Sequence, residues 1–338
     1  MQIHSDISLL PFNTFHIDAT AKYFAEVKTI EDITVLQSDK IFKENRKLIL
    51  GGGSNMLLTQ NFDGLVVKIS LPGIKLERED LHHYYVSVSA GVVWHDFVLW
   101  CIDRGYSGVE NLSLIPGQVG ASPMQNIGAY GVELKDVCVS VDAIDIHTGE
   151  HLSFAAADCE FGYRESIFKH KYRNQFIITS VHFRLNRVPR FNVSYGDIKA
   201  TLEEMKVFDL SIKAVSDAVV KIRSSKLPDP AVLGNAGSFF KNATISFEKC
   251  KELLDKNPLM PNYPQGTGDV KIPAGWLIEQ CGWKGKRVGN TGSHAKQALV
   301  LVNYGGATGH EIYQLAMDIK QSVMDRFGVE INPEVNLI

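Results

Sequence analysis

Short runs of β-branched and aromatic residues, several of them alternating with polar residues, recur through the first half of the chain. Runs of this length and composition are typical of strands that bury at least one face. They predict strands at residues 47–50, 65–70, 84–91, 139–146 and 176–185. The last residues, "EINPEVNLI", have no helical pattern, and we expect them to be extended.

Apolar residues at helical spacing appear between and after these strands. Trp94, Phe97, Val98 and Cys101 repeat at intervals of three and four residues and are followed by Gly105, which predicts a short amphipathic helix. A second helix is predicted to end near Lys226. Further helices are predicted around 246–256, around 273–281 and in a long segment that stops at Gly328, with a strand at 297–303.

The order of these elements predicts an α+β protein in three parts. Pro228 and Pro230 forbid continuation of the second helix and mark a domain boundary. A chain of 338 residues agrees with two or three domains.

Composition and charge argue against several classes of protein, namely nucleic-acid-binding, membrane and secreted proteins. The net charge of -3 is spread along the chain and gives no basic patch for nucleic acid. Apolar runs such as residues 298–302 fall far below the roughly 18 residues that a membrane span requires, and the first residues do not resemble a secretory signal. We therefore expect a cytoplasmic protein that binds neither nucleic acid nor membrane. Its five cysteines form no C-x-x-C pair and are expected to be reduced and mostly buried.

Two glycine-rich stretches are the first candidates for a binding site. "LILGGGSNMLL" at 48–58 runs a strand into consecutive backbone N–H groups that suit an anion, but a plain glycine turn explains it equally well. Residues 111–132 contain no charged side chain, yet they hold four glycines and two prolines. Close approach of the backbone to a bulky ligand explains this composition, and a buried connection between domains is the alternative. Together the stretches predict a large cofactor with a phosphate linker.

Several charged residues fit both a structural and a functional interpretation. Arg164 follows an aromatic pair in "FGYRESIFK" and suits a ring or a carboxylate, although a surface arginine needs no such role. Arg223 and Lys226 share one face at the end of a helix, where they complement the helix dipole or clamp an anion. Glu334 stands near the end of the chain, where a solvated carboxylate is the simpler interpretation.

Ser238 in "GNAGSFFKN" raises a chemical question. The surrounding residues lack the G-x-S-x-G pattern of a hydrolase nucleophile, and no histidine stands near it in the chain to act as a base. A role other than nucleophile is therefore expected. His147 and His151 are spaced like metal ligands, but "HTGEH" reads as a turn between strands, so no metal site is predicted.

Taken in order, ten motifs resemble the UDP-N-acetylenolpyruvoylglucosamine reductase family of flavoenzymes from nearly one end of the chain to the other. The motifs are NTFHIDA, GGGSN, LIPGQVGASPMQNIGAYGVE, FGYRESIFK, YGD, KLPDP, GNAGSFFKN, AGWLIEQ, QALVLVN and PEV. "PNYPQ" at 261–265 is similar to the tyrosine loop of the longer subtype of this family. Where the family usually has an arginine after PEV, this chain has Asn336.

The resemblance implies a fold and a set of domains. The fold would be α+β, with a two-part FAD-binding region like that of vanillyl-alcohol oxidase and a smaller substrate-binding domain. The implied ranges are 1–72 and 73–226 for the FAD-binding parts, the second joined by the tail 329–338, and 227–328 for the substrate domain. A monomer is expected.

The resemblance also implies ligands and site residues. FAD would be bound noncovalently by Gly51, Gly52, Gly53, Ser54, Asn55, Ser122, Pro123, Asn126, Gly128, Ala129, Tyr130, Gly131 and Arg223. The UDP-sugar would meet Tyr195, Lys226, Asn242, Tyr263 and Gln297. The catalytic residues would be Arg164, Ser238 and Glu334, with NADPH as the co-substrate.

The implied reaction answers the question about Ser238. Hydride addition to an enolpyruvyl double bond leaves an enolate-like centre that is a strong base, so a neutral hydroxyl can protonate it without a histidine. Arg164 and Glu334, the latter protonated or ordering a water, would stabilise the charge. Two other functions stay open from the residues alone: an FAD-dependent oxidase or dehydrogenase of the same fold acting on another small molecule, and a nucleotide-sugar binding module without flavin.

Overall fold

The computed structural model of the protein describes residues 1–266 and 268–338. Twenty strands are found in this part of the chain. In chain order, β1 to β10 are Ile3–Ser8, Thr20–Val27, Lys47–Leu50, Met56–Leu57, Phe62–Ile69, Ile74–Glu79, His83–Ser89, Gly128–Ala129, Val132–Glu133 and Cys138–Asp145. Strands β11 to β20 are His151–Ala155, Phe176–Asn186, Gly234–Ser238, Ala243–Ser246, Tyr263–Pro264, Asp269–Ile272, Arg287–Val288, Thr291–Ser293, Val300–Asn303 and Asn336–Leu337.

Eight α-helices accompany these strands in the described residues. Helices α1 to α8 are Ile30–Ser38, Lys40–Glu44, Trp94–Asp103, Ile198–Glu204, Ile212–Lys226, Phe247–Lys256, Ala274–Gln280 and Gly309–Phe327. Local capping residues set the ends of the longest one. The Thr308 side chain accepts from the Glu311 N–H in a capping box, and Gly328 ends α8 in the left-handed conformation with φ 60°.

The chain forms two compact units, and each is assembled from three stretches of sequence. Unit 1 consists of Met1–Ile7, Ala21–Gly52 and Asp63–Ser224, and unit 2 consists of Ser8–Thr20, Gly53–Phe62 and Ser225–Ile338. The three domain ranges predicted above stay a prediction.

Unit 1 is built around two sheets with strand orders β1-β2-β5-β3 and β11-β10-β12-β7-β6. Strand β3 pairs with β5 in parallel, whereas the five-stranded sheet is antiparallel at each pairing. One apolar core includes Trp94 and Phe97 of α3 and Phe183 of β12, whose rings pack against one another. Helices α4 and α5 share a smaller core around Ile198 and Val219.

Unit 2 contains a sheet of order β13-β19-β18-β17 and a smaller one of order β14-β16-β15. Strand β20, at the carboxyl end, pairs in parallel with β4. The amino-terminal "NTFHIDA" segment also belongs to this unit, where Phe15 is fully buried and its ring packs edge-on against Phe239. The Asn13 side chain bonds the backbone of Leu9 and Ile17, which holds this segment in a turn.

Most of the elements predicted from the sequence are confirmed. The strands predicted at 47–50, 84–91, 139–146 and 176–185 correspond to β3, β7, β10 and β12, and α5 ends at Lys226 as expected. The strand predicted from 297 begins three residues later, at Val300, because the Val300 N–H closes a turn onto Gln297. Strands β1 and β2 and helices α1 and α2 were not predicted.

Three further predictions concern the cysteines, the turn that contains His147, and membrane-spanning helices. All five cysteines are free; four are buried and Cys281 is half-buried, as predicted. His147 lies in the turn after β10 and His151 begins β11, as expected for a turn between strands. Among the residues described, no helix has the length and apolar character needed to cross a membrane.

Candidate active site

The first glycine-rich stretch leaves β3 and packs against the second within unit 1. A Cβ on Gly52 would lie 2.9 Å from the Cα of Gly117, so only glycine permits this approach of the two loops. Gly51 has more room, since a Cβ there would be 3.4 Å from the Gln118 side chain. Chain packing therefore explains Gly52, whereas nothing in the chain requires a glycine at Gly51.

The second stretch is partly buried and is held by hydrogen bonds of its own side chains. Residues Val119–Gln125 form a 3-10 helix in which the Ser122 hydroxyl donates to the Val119 carbonyl at 2.6 Å. A Cβ on Gly120 would lie 2.5 Å from the Ala90 Cβ. Asn126 is fully buried; its amide group donates to the Gly162 carbonyl and its oxygen accepts from the Lys135 N–H. The side chains of Ser122 and Asn126 thus hold the loop, which leaves backbone groups to meet a ligand.

A tight hairpin follows, and it carries four of the predicted cofactor residues. Gly128 and Ala129 form β8, which pairs with β9 through a turn of Tyr130 at φ 50° and Gly131 at φ 78°. Two left-handed residues in succession are what a two-residue hairpin requires. The Arg164 guanidinium donates to the Gly128 carbonyl at 3.2 Å. Arg164 is therefore joined to the second glycine-rich stretch in unit 1.

Leu114, within the same stretch, has both its backbone N–H and its backbone carbonyl bonded to side chains. It has φ 58°, its N–H donates to the Nδ1 atom of His95 at 3.0 Å, and its carbonyl accepts from the Arg223 Nε at 3.2 Å. Burial lowers the pKa of Arg223, and the nearby positive charge of Arg164 lowers it further. Burial also lowers the pKa of His95, which agrees with an unprotonated Nδ1 that accepts a hydrogen bond.

Sequence reasoning missed His95. Its helical position on α3 gives no sign that its ring reaches Leu114, which lies 19 residues further along the chain. The left-handed Leu114 backbone gives no signal in the sequence either.

A cavity of about 140 Å³ opens in unit 1 where the two glycine-rich stretches meet. Gly51 contributes from the first stretch, and Gly120 and Ala121 contribute from the second. The remaining wall is largely apolar and includes Leu48, Ile49, Met124, Phe168, Tyr172, Asn174 and Phe176. Several of these wall residues lie in motifs or strands predicted from the sequence, but their meeting in one cavity was not predicted, because they come from separate parts of the chain.

Ser238 ends strand β13 in unit 2, at an irregularity in the pairing of β13 with β19. Gly237 before it has φ 70°, and its N–H donates to the Asn235 side chain, which turns the backbone at this point. Phe239 and Phe240 after it are 0% and 1% exposed and pack edge-on. The two rings are core residues that fix the backbone on which the half-buried Ser238 stands.

The segment that carries Glu334 is hydrogen-bonded to the residues next to Ser238. The Glu334 N–H donates to the Phe239 carbonyl at 2.8 Å, and Phe240 and Pro333 form an antiparallel bridge. Glu334 is half-buried and does not belong to a solvated tail. The structure thus brings together Ser238 and Glu334, which lie far apart in the sequence.

Asn242 and Gln297 both lie at the first turn of α7 in unit 2. The Asn242 side-chain oxygen accepts from the Ala274 N–H at 3.1 Å. The Gln297 side-chain oxygen lies 3.3 Å from where a Cβ of Gly275 would stand, and it accepts from the Leu299 N–H at 3.4 Å. Each amide oxygen thus has a backbone partner in its own unit.

The other predicted substrate residues are spread over both units. Lys226 is the last residue of α5. Tyr195 of unit 1 is 60% exposed beside the Tyr130–Gly131 hairpin, and Tyr263 of unit 2 is 57% exposed in β15. Both phenol rings are therefore open to a ligand.

Comparison with known proteins decides the family. A family described as "UDP-N-acetylenolpyruvoylglucosamine reductase, C-terminal domain" matches residues 229–338, and one described as "FAD binding domain" matches residues 21–155. The reductase of Flavobacterium johnsoniae is 51% identical over 340 residues, covering 100% of both chains. The reductase of Chromobacterium violaceum is 48% identical and covers 99% of this chain and 98% of its own. The chain belongs to the UDP-N-acetylenolpyruvoylglucosamine reductase family.

A solved structure agrees with the fold of this reductase family. The UDP-N-acetylenolpyruvylglucosamine reductase of Thermus caldophilus aligns with a TM-score of 0.67 over 100% of this chain and 99% of its own, at 23% identity. The predicted family, the α+β FAD-binding fold and the assignment as a flavin-dependent oxidoreductase are confirmed.

The residues of unit 1 fit the FAD that this reductase family uses. The cavity between the glycine-rich stretches has an apolar and aromatic wall suited to a ring system, and Gly51 at its edge offers backbone without a side chain. Arg223 adds a half-buried positive charge in the same unit, beside the second stretch. The contacts of individual residues with FAD or substrate stay predictions.

Asn336, which directly follows the PEV motif, is hydrogen-bonded within unit 2. Its backbone N–H and its side-chain Nδ2 both donate to the Asn55 carbonyl, at 3.1 and 2.9 Å. Asn336 therefore bonds the last residue of the GGGSN motif.

Proposed function

We propose that this protein reduces the enolpyruvyl double bond of UDP-N-acetyl-3-O-(1-carboxyvinyl)-glucosamine to give UDP-N-acetylmuramate for peptidoglycan synthesis. Relatives with the reductase name match the chain over its full length at 48–51% identity. The structural observation that carries the proposal is the hydrogen bond between Glu334 and Phe239, because it joins the two segments that hold the proposed acid groups.

Bound FAD would supply the hydride chemistry that links NADPH to the terminal carbon of the alkene. Gly51 to Asn55 and the backbone of residues 122–131 would hold it, and Arg223 would supply positive charge. In the net reaction, one hydride and one proton add across the C=C bond while NADPH becomes NADP⁺.

Ser238 would supply the proton. Hydride addition moves charge onto the carbon next to the substrate carboxylate, and this carbon is a strong enough base to take a proton from a neutral hydroxyl. The left-handed Gly237 and the two buried phenylalanines hold the Ser238 backbone in one conformation. The hydroxyl therefore needs no histidine, because it acts as an acid and not as a nucleophile.

Glu334 and Arg164 would stabilise the negative charge that develops before protonation. A preorganised donor of this kind typically contributes about 3 kcal/mol to the transition state. Glu334, protonated or ordering a water, is held by its backbone bond to Phe239. Arg164, in unit 1, has φ 59° and is held by its bond to the Gly128 carbonyl.

The UDP part of the substrate would be held by donors around α7 and by the two exposed tyrosines. Because their oxygens accept from backbone N–H groups, Asn242 and Gln297 keep their NH₂ groups as donors for phosphate oxygens. Lys226 would add a positive charge. Tyr195 and Tyr263 would pack against the bound substrate.

The test separates the two half-reactions of Ser238→Ala by stopped-flow absorbance. NADPH should bleach the bound flavin at the wild-type rate, whereas reoxidation by the enolpyruvyl substrate should slow by about a thousandfold, since one proton transfer is lost. Ser322→Ala, the same exchange on α8, serves as the control. Equal losses in both half-reactions would contradict the role as proton donor.

Two alternative functions give different outcomes in simple measurements. A nucleotide-sugar binding module without flavin would purify as a colourless protein. An oxidase or dehydrogenase with another substrate would consume NADPH or another donor without the enolpyruvyl sugar. The observation that favours the reductase over the second alternative is the bonding of the Ser238 and Glu334 segments, which flavin binding alone does not require.

We further propose that the protein acts as a monomer in the cytoplasm, where NADPH and sugar nucleotides are available. Light scattering after size-exclusion chromatography should give the mass of one chain, 37.6 kDa. A mass twice as large would contradict the monomer.

A further inference from the structure

We propose that Asn336 is a positioning residue that couples the GGGSN motif to Glu334. The inference rests on the proposed function, in which the motif holds FAD and Glu334 stabilises charge. Its basis is a pair of hydrogen bonds within unit 2: the backbone N–H of Asn336 and its Nδ2 both donate to the Asn55 carbonyl.

The segment around Asn336 is held at both ends. On one side, the Glu334 N–H donates to the Phe239 carbonyl at 2.8 Å. On the other, the Thr59 N–H and hydroxyl both donate to the Ile338 carbonyl, at 2.9 and 2.7 Å. An extended segment fixed at both ends has little freedom to shift along its own length.

Asn336 is the residue that links Glu334 to the GGGSN motif. Only Val335, which is 4% exposed, separates Glu334 from Asn336. In an extended chain, residues two apart lie on the same face, roughly 6.6 Å from each other. A displacement of Asn55 is therefore transmitted to Glu334 through one buried residue and two hydrogen bonds.

The side chain of Asn336 adds specificity that the backbone alone does not provide. Parallel pairing of β20 with β4 supplies one hydrogen bond from a backbone N–H to the Asn55 carbonyl, and any residue except proline makes that bond. The second bond requires a donor on a short side chain, and the Asn336 amide provides it at 2.9 Å. Without this donor, the carboxyl-terminal strand would stay paired but would hold Asn55 by a single bond of 3.1 Å.

The test compares three variants in two measurements. Asn336→Ala removes the side chain, Asn336→Asp keeps its size but lacks the donor, and Leu337→Ala alters the next residue of the same strand. The first measurement is the dissociation constant of FAD from the apoprotein, followed by flavin fluorescence. The second is the rate of each half-reaction, followed by stopped-flow absorbance.

We expect Asn336→Ala and Asn336→Asp to weaken FAD binding and to slow flavin reoxidation by substrate, each by about three- to tenfold, the usual effect of one hydrogen bond. Reduction of the flavin by NADPH should keep its rate, because Glu334 does not act in that step. Leu337→Ala should change neither quantity. A merely structural role would instead lower the melting temperature of all three variants and leave the ratio of the two half-reaction rates unchanged.

The inference is overturned if Asn336→Asp binds FAD and is reoxidised as the wild type is, or if both half-reactions slow equally. The two proposals fail separately. If the wild-type protein is not reoxidised by the enolpyruvyl substrate, the proposed function is wrong. The FAD dissociation constants still decide whether Asn336 holds the GGGSN motif.

Discussion

Neighbouring glycines in the GGGSN motif meet different surroundings. Gly52 faces the backbone of Gly117 so closely that a methyl group would not fit, and Gly53 needs its left-handed φ of 63°. Gly51 has neither such a close backbone contact nor a left-handed φ. Within the chain, therefore, close packing and backbone conformation require glycine at Gly52 and Gly53, whereas the described contacts do not require a glycine at Gly51.

This difference predicts opposite effects for two alanine substitutions. Gly52→Ala should lower the free energy of unfolding of the apoprotein by about 1–3 kcal/mol, because the two loops must separate. Gly51→Ala should leave that free energy within about 0.5 kcal/mol of the wild type but weaken FAD binding by about tenfold. Urea unfolding and flavin fluorescence measure the two quantities.

The two variants serve as controls for each other, since they place the same methyl group on adjacent residues. Wild-type affinity for FAD in Gly51→Ala would show that no ligand approaches this residue.

At the scale of elements, the five-stranded sheet of unit 1 carries a cluster of charges across its strands. His182 on β12 contacts Asp142 on β10 through Nε2 at 2.7 Å and Glu77 on β6 through Nδ1 at 3.2 Å. Glu77 stands at a register shift between β6 and β7, where a bulge redirects its side chain. Because both ring nitrogens face carboxylates, the charged imidazolium is favoured.

This cluster makes the stability of unit 1 depend on pH. The hydrogen bond to Asp142 is the main cause that raises the pKa of His182 above its ordinary value of 6.5. The stabilisation is therefore fully present below about pH 6.5 and is lost as the pH rises through the raised pKa of the folded state. We expect the free energy of unfolding, measured in urea from pH 5.5 to about 9, to fall more steeply for the wild type than for His182→Gln.

The partner carboxylate responds in the opposite direction. The His182 hydrogen bond is the main cause that lowers the pKa of Asp142 from 3.8 to about 2, so the stabilisation that Asp142 contributes is lost as the pH falls from 3.8 toward 2.

For the His182→Gln prediction, His147→Gln, at an exposed turn residue, is the control for the loss of a histidine. Parallel pH curves for the wild type and His182→Gln would contradict the prediction.

At the scale of the whole molecule, neither unit is a continuous piece of sequence. Unit 2 takes in Ser8–Thr20 and Gly53–Phe62 together with everything after Ser224. These short segments supply part of its interior. Phe15 packs on Phe239. A Cβ on Gly309 would lie only 1.7 Å from the carbonyl oxygen of Leu58, so these two residues are in close contact. The carboxyl-terminal third therefore lacks a complete core by itself.

A fragment of residues 225–338 should consequently fail to unfold cooperatively. Without the two short segments, it exposes the surfaces that bury Phe15 and Leu57 in the full chain. Near-ultraviolet circular dichroism during urea titration measures this, with the full-length protein as the control. A sharp transition with native-like aromatic signals in the fragment would contradict the expectation.

Element prediction succeeded where the signal was local. Helix α3 repeats its apolar residues at helical intervals before Gly105, and α8 has a capping box at one end and Gly328 at the other. Strands β1 and β2 were not predicted because their buried and exposed residues do not alternate regularly. In Ile3–Ser8 no residue is buried and two are half-buried. In Thr20–Val27 buried residues stand both alone and next to each other. The pairing of β1 with β2, and of β2 with β5, overrides the weak local preference.

The order of motifs along the chain was by itself enough to determine the family, the cofactor and the candidate residues, because each motif is a short continuous segment. The tertiary structure alone decided which distant residues meet: Glu334 with Phe239, Asn336 with Asn55, Gly52 with Gly117, and His95 with Leu114. Such contacts join segments through backbone hydrogen bonds and close packing, which leave no periodic pattern in the sequence. They form because the core brings those segments together.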